Sequence, residues 1–86
     1  MQMRLILYSK PGCHLCEGLQ EKLEQIQTLP FELEIRDITT RDDWFQAYQY
    51  EIPVLYLENS MLPRVSPRST VQQLKSMLQK YMSSNA

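Results

Sequence analysis

Cys13-His14-Leu15-Cys16 holds both cysteines of this 86-residue chain and its one histidine. Thiolates attack disulfides, and two thiols three residues apart can trade one disulfide for another. Residues i and i+3 are neighbours on a helix, so such a pair closes a disulfide with little backbone movement. The N-terminus of a helix presents unpaired N–H groups and the positive end of the macrodipole, which stabilise an anion there. A thiol in that position ionises more readily. Cys13, the earlier and more exposed of the two, is expected to be the nucleophile. Cys16, one turn further in, is expected to resolve the mixed disulfide. Lys10 and His14 can place positive charge beside the thiolate. Pro11 stiffens the approach, while Gly12 lets the backbone turn and leaves room for a partner.

This chemistry requires a strand to end and a helix to begin at the cysteines, and the flanking pattern supplies both. Residues 3–8 are a short apolar run bounded by Ser9-Lys10-Pro11-Gly12, the pattern of a buried strand followed by a loop. Leu15, Leu19, Leu23 and Ile26 recur at helical spacing, which predicts an amphipathic helix over about residues 14–28, stopped by Pro30. Phe31, Leu33, Ile35 and, after a slip, Ile38 alternate with Glu32, Glu34 and Arg36, as in a strand with one wet face. Thr40 with Asp43 is expected to cap a short helix carrying Trp44, Phe45 and Tyr48. Residues 53–57 read as a third strand. A turn at Asn59-Ser60 leads to a fourth strand from Met61 to Val65, with Pro63 marking it as an edge. Ser69 with Gln72 is expected to cap a last helix whose stripe is Val71, Leu74, Met77, Leu78 and Tyr81. The tail from Ser83 to Ala86 is expected to fray. The order β-α-β-α-β-β-α predicts one α/β domain over 1–86, with a four-stranded mixed sheet flanked by three helices.

Composition narrows the function further. Nine basic and ten acidic residues give a net charge of −1, and the basic ones are scattered, which argues against nucleic acid. No apolar run approaches the ~20 residues of a membrane helix, and Met1-Gln2-Met3-Arg4 does not read as a secretory signal. Two cysteines are too few for a disulfide scaffold, and with one histidine they fall short of a four-ligand zinc site. Two glycines leave no phosphate-binding or dinucleotide loop. His14 has no partners for a hydrolase triad. Tyr8 reads equally as a wall of the site or as core. The expected protein is a cytoplasmic monomer without metal or tightly bound cofactor.

Leu7-Tyr8-Ser9-Lys10, Cys13-x-x-Cys16 and Ile52-Pro53-Val54 together resemble the glutaredoxins, in particular the small bacterial glutaredoxin-like branch of the thioredoxin superfamily. The resemblance covers nearly the whole chain. It implies a thioredoxin-like fold and dithiol–disulfide exchange, with glutathione or a protein disulfide as partner and glutathione as co-substrate. It further implies Cys13 as nucleophile, Cys16 as resolving thiol, and Lys10 as a contact of the thiolate or of glutathione. Ile52 would pair its backbone with a bound cysteinyl group, and Pro53 would be a cis-proline set against the cysteines.

The chain departs from the glutaredoxins in two places. His14-Leu15 replaces the usual Pro-Tyr or Pro-Phe, and no Gly-Gly pair followed by Asp stands after the third and fourth strands to receive the γ-glutamyl end of glutathione. That segment reads Arg64-Val65-Ser66-Pro67-Arg68-Ser69-Thr70. Arg64, Arg68 and the helix start at Ser69 and Thr70 are candidates to hold a carboxylate of glutathione or of a partner protein. Two other readings stay open: a non-catalytic thioredoxin-fold binding module, and metal or iron–sulfur binding through Cys13 across a dimer.

Overall fold

The computed structural model describes residues 2–84. Its elements run β1 (Met3–Ser9), α1 (His14–Glu24), β2 (Phe31–Asp37), a 3₁₀ turn (Ile38–Thr40), α2 (Asp42–Tyr48), β3 (Val54–Leu57), β4 (Ser60–Met61) and α3 (Val71–Ser84). The strands form one mixed sheet in the order β2-β1-β3-β4. β1 pairs in parallel with β2 and antiparallel with β3, and β3 pairs antiparallel with β4. The expected α/β architecture and element order are thus present.

Successive residues of a strand point to opposite faces, and β1 uses this to seed two cores. Leu5 and Leu7 face α1 and α3, where they pack with Leu19, Leu23, Ile26, Leu55, Leu57, Leu62, Leu74 and Leu78. Ile6 and Tyr8 face the other way and join Ile38 and Val54, with Trp44, Phe45 and Tyr48 of α2 packed against them. Tyr8 is therefore core rather than a wall of the cysteine site. Its hydroxyl accepts from Arg36 Nη1 at 2.8 Å, and Arg36 also pairs with Glu34. That carboxylate bond, reinforced by Tyr8 and opposed by burial, raises the pKa of the Arg36 guanidinium. Tyr48 donates to Tyr56 at 3.2 Å, and this bond together with burial pushes the Tyr48 phenol well above its ordinary range.

Several element boundaries differ from the sequence expectation. α1 ends at Glu24 rather than near 28: the amides of Gln25 and Ile26 turn back to Lys22 O and Leu23 O, and this tightened turn drops Ile26 into the core. The slip at Ile38 is the 3₁₀ turn, which rotates that side chain into the second core. Asp37 caps this turn through Thr39 N (2.9 Å), and its bonds to the Thr39 hydroxyl and amide hold its carboxyl below the usual range.

The Thr40–Asp43 cap does not form. Arg41 occupies the N-cap of α2 and makes a two-point bond to Asp43 at 2.9 and 3.0 Å. This pairing lowers the Asp43 pKa and raises that of Arg41. The hairpin turns at Glu58-Asn59, with Glu58 in the left-handed region (φ 54°), one residue earlier than expected. β4 stops at Met61, earlier than the expected Val65, although the Leu62 amide still donates to Leu55 O at 2.9 Å. Pro53 precedes β3 rather than opening it.

α3 starts one residue later than expected. Thr70, not Ser69, is the cap: its Oγ1 accepts from Gln73 N at 3.1 Å, while Thr70 N donates to Gln73 Oε1 at 2.9 Å. Both side chains of this pair take part, which makes the cap reciprocal. Replacing Thr70 with Ala is expected to cost about 0.5–2 kcal/mol in urea unfolding, whereas Ser69→Ala should leave the midpoint nearly unchanged. The helix continues through Ser84, so Ser83 and Ser84 are helical rather than frayed; Asn85 and Ala86 lie outside the described residues.

Candidate functional site

The cysteines stand where β1 hands over to α1. Gly12 adopts φ +81°, a conformation that a residue with a Cβ strains to reach, and so turns the chain into the helix. Cys13 is the N-cap residue of α1: it has extended backbone angles, and its Sγ accepts the Cys16 amide N–H at 3.2 Å. This position is normally taken by Ser, Thr, Asp or Asn, because a side-chain acceptor satisfies one of the orphan N–H groups of the first turn. Here the acceptor is sulfur, which receives the same donor when ionised. Cys13 and Cys16 are in disulfide geometry, with Cα atoms 5.3 Å apart. Cys16 is buried (2% exposed) and Cys13 only partly so, the asymmetry a nucleophile and a resolving thiol require.

The other predicted site residues divide between the two flanks of α1. His14 is nearly free of contacts and lies 3.7 Å from Glu17. It lines a groove of about 180 Å³ together with Leu15 and Pro53. The Ile52–Pro53 peptide bond is cis. Ile52 itself packs toward the second core, and its N–H donates to Tyr48 O at 3.1 Å. Lys10 lies on the opposite flank of α1, in a shallow hollow with Pro11, Cys16, Ile35 and Asp37, and its carbonyl accepts the Cys13 amide at 3.3 Å. Lys10 and Pro53 are thus not brought to one groove.

Arg68 is exposed and does not line the groove; Arg64 does. At the start of α3, where a carboxylate receptor is expected, the amides of Thr70 and Gln73 are engaged in the reciprocal cap. Gly18 and Lys22 also line the groove, although sequence reasoning did not select them. Their signal was present in the spacing Leu15, Gly18, Leu19, Lys22, a single helix face leading away from the cysteines. Leu15 shares the apolar spacing of α1 but is 53% exposed; the buried positions of the helix are Cys16, Leu19 and Leu23.

A mixed sheet with helices on both faces, and a cysteine pair opening the first helix beside a proline loop, defines a thioredoxin-like domain. The chain belongs to the glutaredoxin-like domain family (DUF836), which it matches over residues 4–79. No curated protein and no solved structure matches it. Membership of this family and the disulfide geometry of Cys13 and Cys16 fit a redox role. Among the described residues, no helix is long and apolar enough to cross a membrane, and no group of three or more His, Cys, Asp or Glu side chains could hold a metal ion.

Proposed function

We propose that the chain is a dithiol–disulfide oxidoreductase. The observation that carries this reading is the Cys13 sulfur at the N-cap of α1, accepting the Cys16 N–H with the buried Cys16 sulfur beside it. The Cys13 thiolate attacks one sulfur of a substrate disulfide. A bond forms between the two sulfurs, the substrate S–S bond breaks, and the departing thiolate takes up a proton. The Cys16 thiolate then attacks Cys13 Sγ and expels the second substrate thiol. The substrate gains two electrons, and the protein is left as the Cys13–Cys16 disulfide. An external thiol, glutathione or a dithiol reductase, resets the pair. Such a cycle suits a reducing compartment such as the cytoplasm.

Ultraviolet absorbance of the reduced protein across pH tests the proposal. Cys13 should ionise below the ordinary thiol range, because the thiolate receives an N–H bond and the helix dipole, both of which favour the charged form. The rate of reaction with a small disulfide should rise through that same pKa and level off at neutral pH. A Cys13 that titrates like a free cysteine would sink the assignment.

A further inference from the structure

We propose that the groove starting at His14 and Leu15, the residues between the two cysteines, recognises an extended protein segment, with an apolar side chain next to its disulfide and a carboxylate adjoining it, in preference to glutathione. This rests on the redox role proposed above and names the substrate class for the same site. One wall of the groove is the α1 face of Leu15, Gly18, Leu19 and Lys22. The other is Arg64 to Pro67, and Pro53 and Leu74 also line it. Gly18 keeps the wall open: a Cβ built there would meet nothing within 4 Å. A second hollow of about 230 Å³ shares Leu19, Pro53, Arg64 and Val65 and reaches Met61, which is 59% exposed. The two hollows and exposed Leu15 form an apolar track longer than one residue.

Charge selects among occupants. Lys22, Arg64 and the His14 imidazole line the first hollow, and no carboxylate does. Lys22 Nζ is fixed there by Pro67 O (2.9 Å) and Ser69 O (2.7 Å), which leaves it one N–H to offer. Arg64 reaches Glu51 O at 2.9 Å and lies 3.7 Å from the Glu51 carboxylate, in the neighbouring hollow. An apolar floor with a cationic rim complements an acidic, apolar segment.

Glutathione meets this surface only in part: its glycyl carboxylate suits the cationic rim, but the rest of the molecule is not matched. Its γ-glutamyl end carries an ammonium as well as a carboxylate, and the first hollow offers the ammonium no acidic partner. The α3 amides of Thr70 and Gln73 are occupied, and so is the Ile52 N–H. Glutathione also has no apolar side chain to fill the floor.

The test is stoichiometric oxidation of the fully reduced protein, followed by acid quench and mass spectrometry. The disulfide probes are a peptide dimer with Asp and Leu flanking its cysteine, the same dimer with Lys and Ser there, oxidised glutathione, and hydroxyethyl disulfide. The Asp-Leu dimer should react at least about tenfold faster than glutathione disulfide and than the Lys-Ser dimer. Gly18→Leu, which fills the hollow and favours the helix, should cut the rate ratio of the Asp-Leu dimer to hydroxyethyl disulfide about tenfold. Arg64→Glu should erase the preference for the acidic dimer. Glutathione disulfide reacting as fast as the Asp-Leu dimer, or ratios unmoved by both variants, would overturn the groove assignment while leaving the redox role standing. If even hydroxyethyl disulfide fails to oxidise the wild type, the redox role falls and the groove proposal falls with it.

Discussion

Replacing Cys13 with Ser will abolish disulfide reduction, to below roughly a thousandth of the wild-type rate, while the fold survives. A serine hydroxyl is a poor nucleophile, but it is a favoured N-cap acceptor. It can take over the Cys16 N–H bond now made by sulfur. Under reducing conditions, urea unfolding should therefore separate Cys13→Ser only slightly from the wild type. Chemistry and structural role part company at this one atom, which makes the variant diagnostic.

Cys16→Ser should behave differently. Cys13 remains able to attack, so the first substrate thiol is released. The mixed disulfide then persists and is visible by mass spectrometry as an adduct on Cys13, because the buried second sulfur that would displace it is gone. Retained turnover in Cys13→Ser, or an adduct on Cys16 rather than Cys13, would reverse the assigned order of attack.

The largest effect on stability is expected at Leu7. It is fully buried, it sits on the central strand opposite Ile35 of β2 and Leu55 of β3, and its side chain enters the core under α1 and α3. Leu7→Ala removes buried methyl groups and leaves a cavity that a sheet bonded on both sides can collapse only partly. The expected cost is about 2–5 kcal/mol, a large share of the ~5–15 kcal/mol that holds a domain together. Leu15→Ala is the internal control. The same substitution at a half-exposed position on the first turn of α1 should shift stability by no more than about 0.5 kcal/mol. Urea midpoints that fell equally for both would mean that Leu15 is packed as its spacing alone suggests.

That contrast marks where pattern reading reaches its limit. Leu15 and Leu19 look alike in a helical stripe, yet Leu19 packs into the first core and Leu15 stays 53% exposed. Caps show the same limit. Ser69–Gln72 and Thr70–Gln73 both satisfy the spacing of a reciprocal cap, and the choice falls to where the loop from β4 delivers the chain, with Lys22 holding Pro67 O and Ser69 O. At Thr40 the expected cap lost to the bonds of Asp37 with Thr39 and of Arg41 with Asp43, short-range competitors that no apolar periodicity reports.

What the sequence determined by itself were the features set by neighbours along the chain. The cysteine pair lies at a strand–helix junction, glycine precedes it to make the turn, the elements follow in order, and the stripe of α3 is apolar. Spacings of two and of 3.6 residues encode these directly. The tertiary structure decided what depends on residues far apart in the chain. Antiparallel pairing of β3 with β1 carries Pro53 to the groove beside His14 and Leu15, and the segment after β4 brings Arg64, rather than Arg68, to the same groove. Lys10 and Pro53, both expected at the cysteines, fall on opposite flanks of α1. Such placements follow from how the sheet packs against the helices, and no local preference of the chain specifies them.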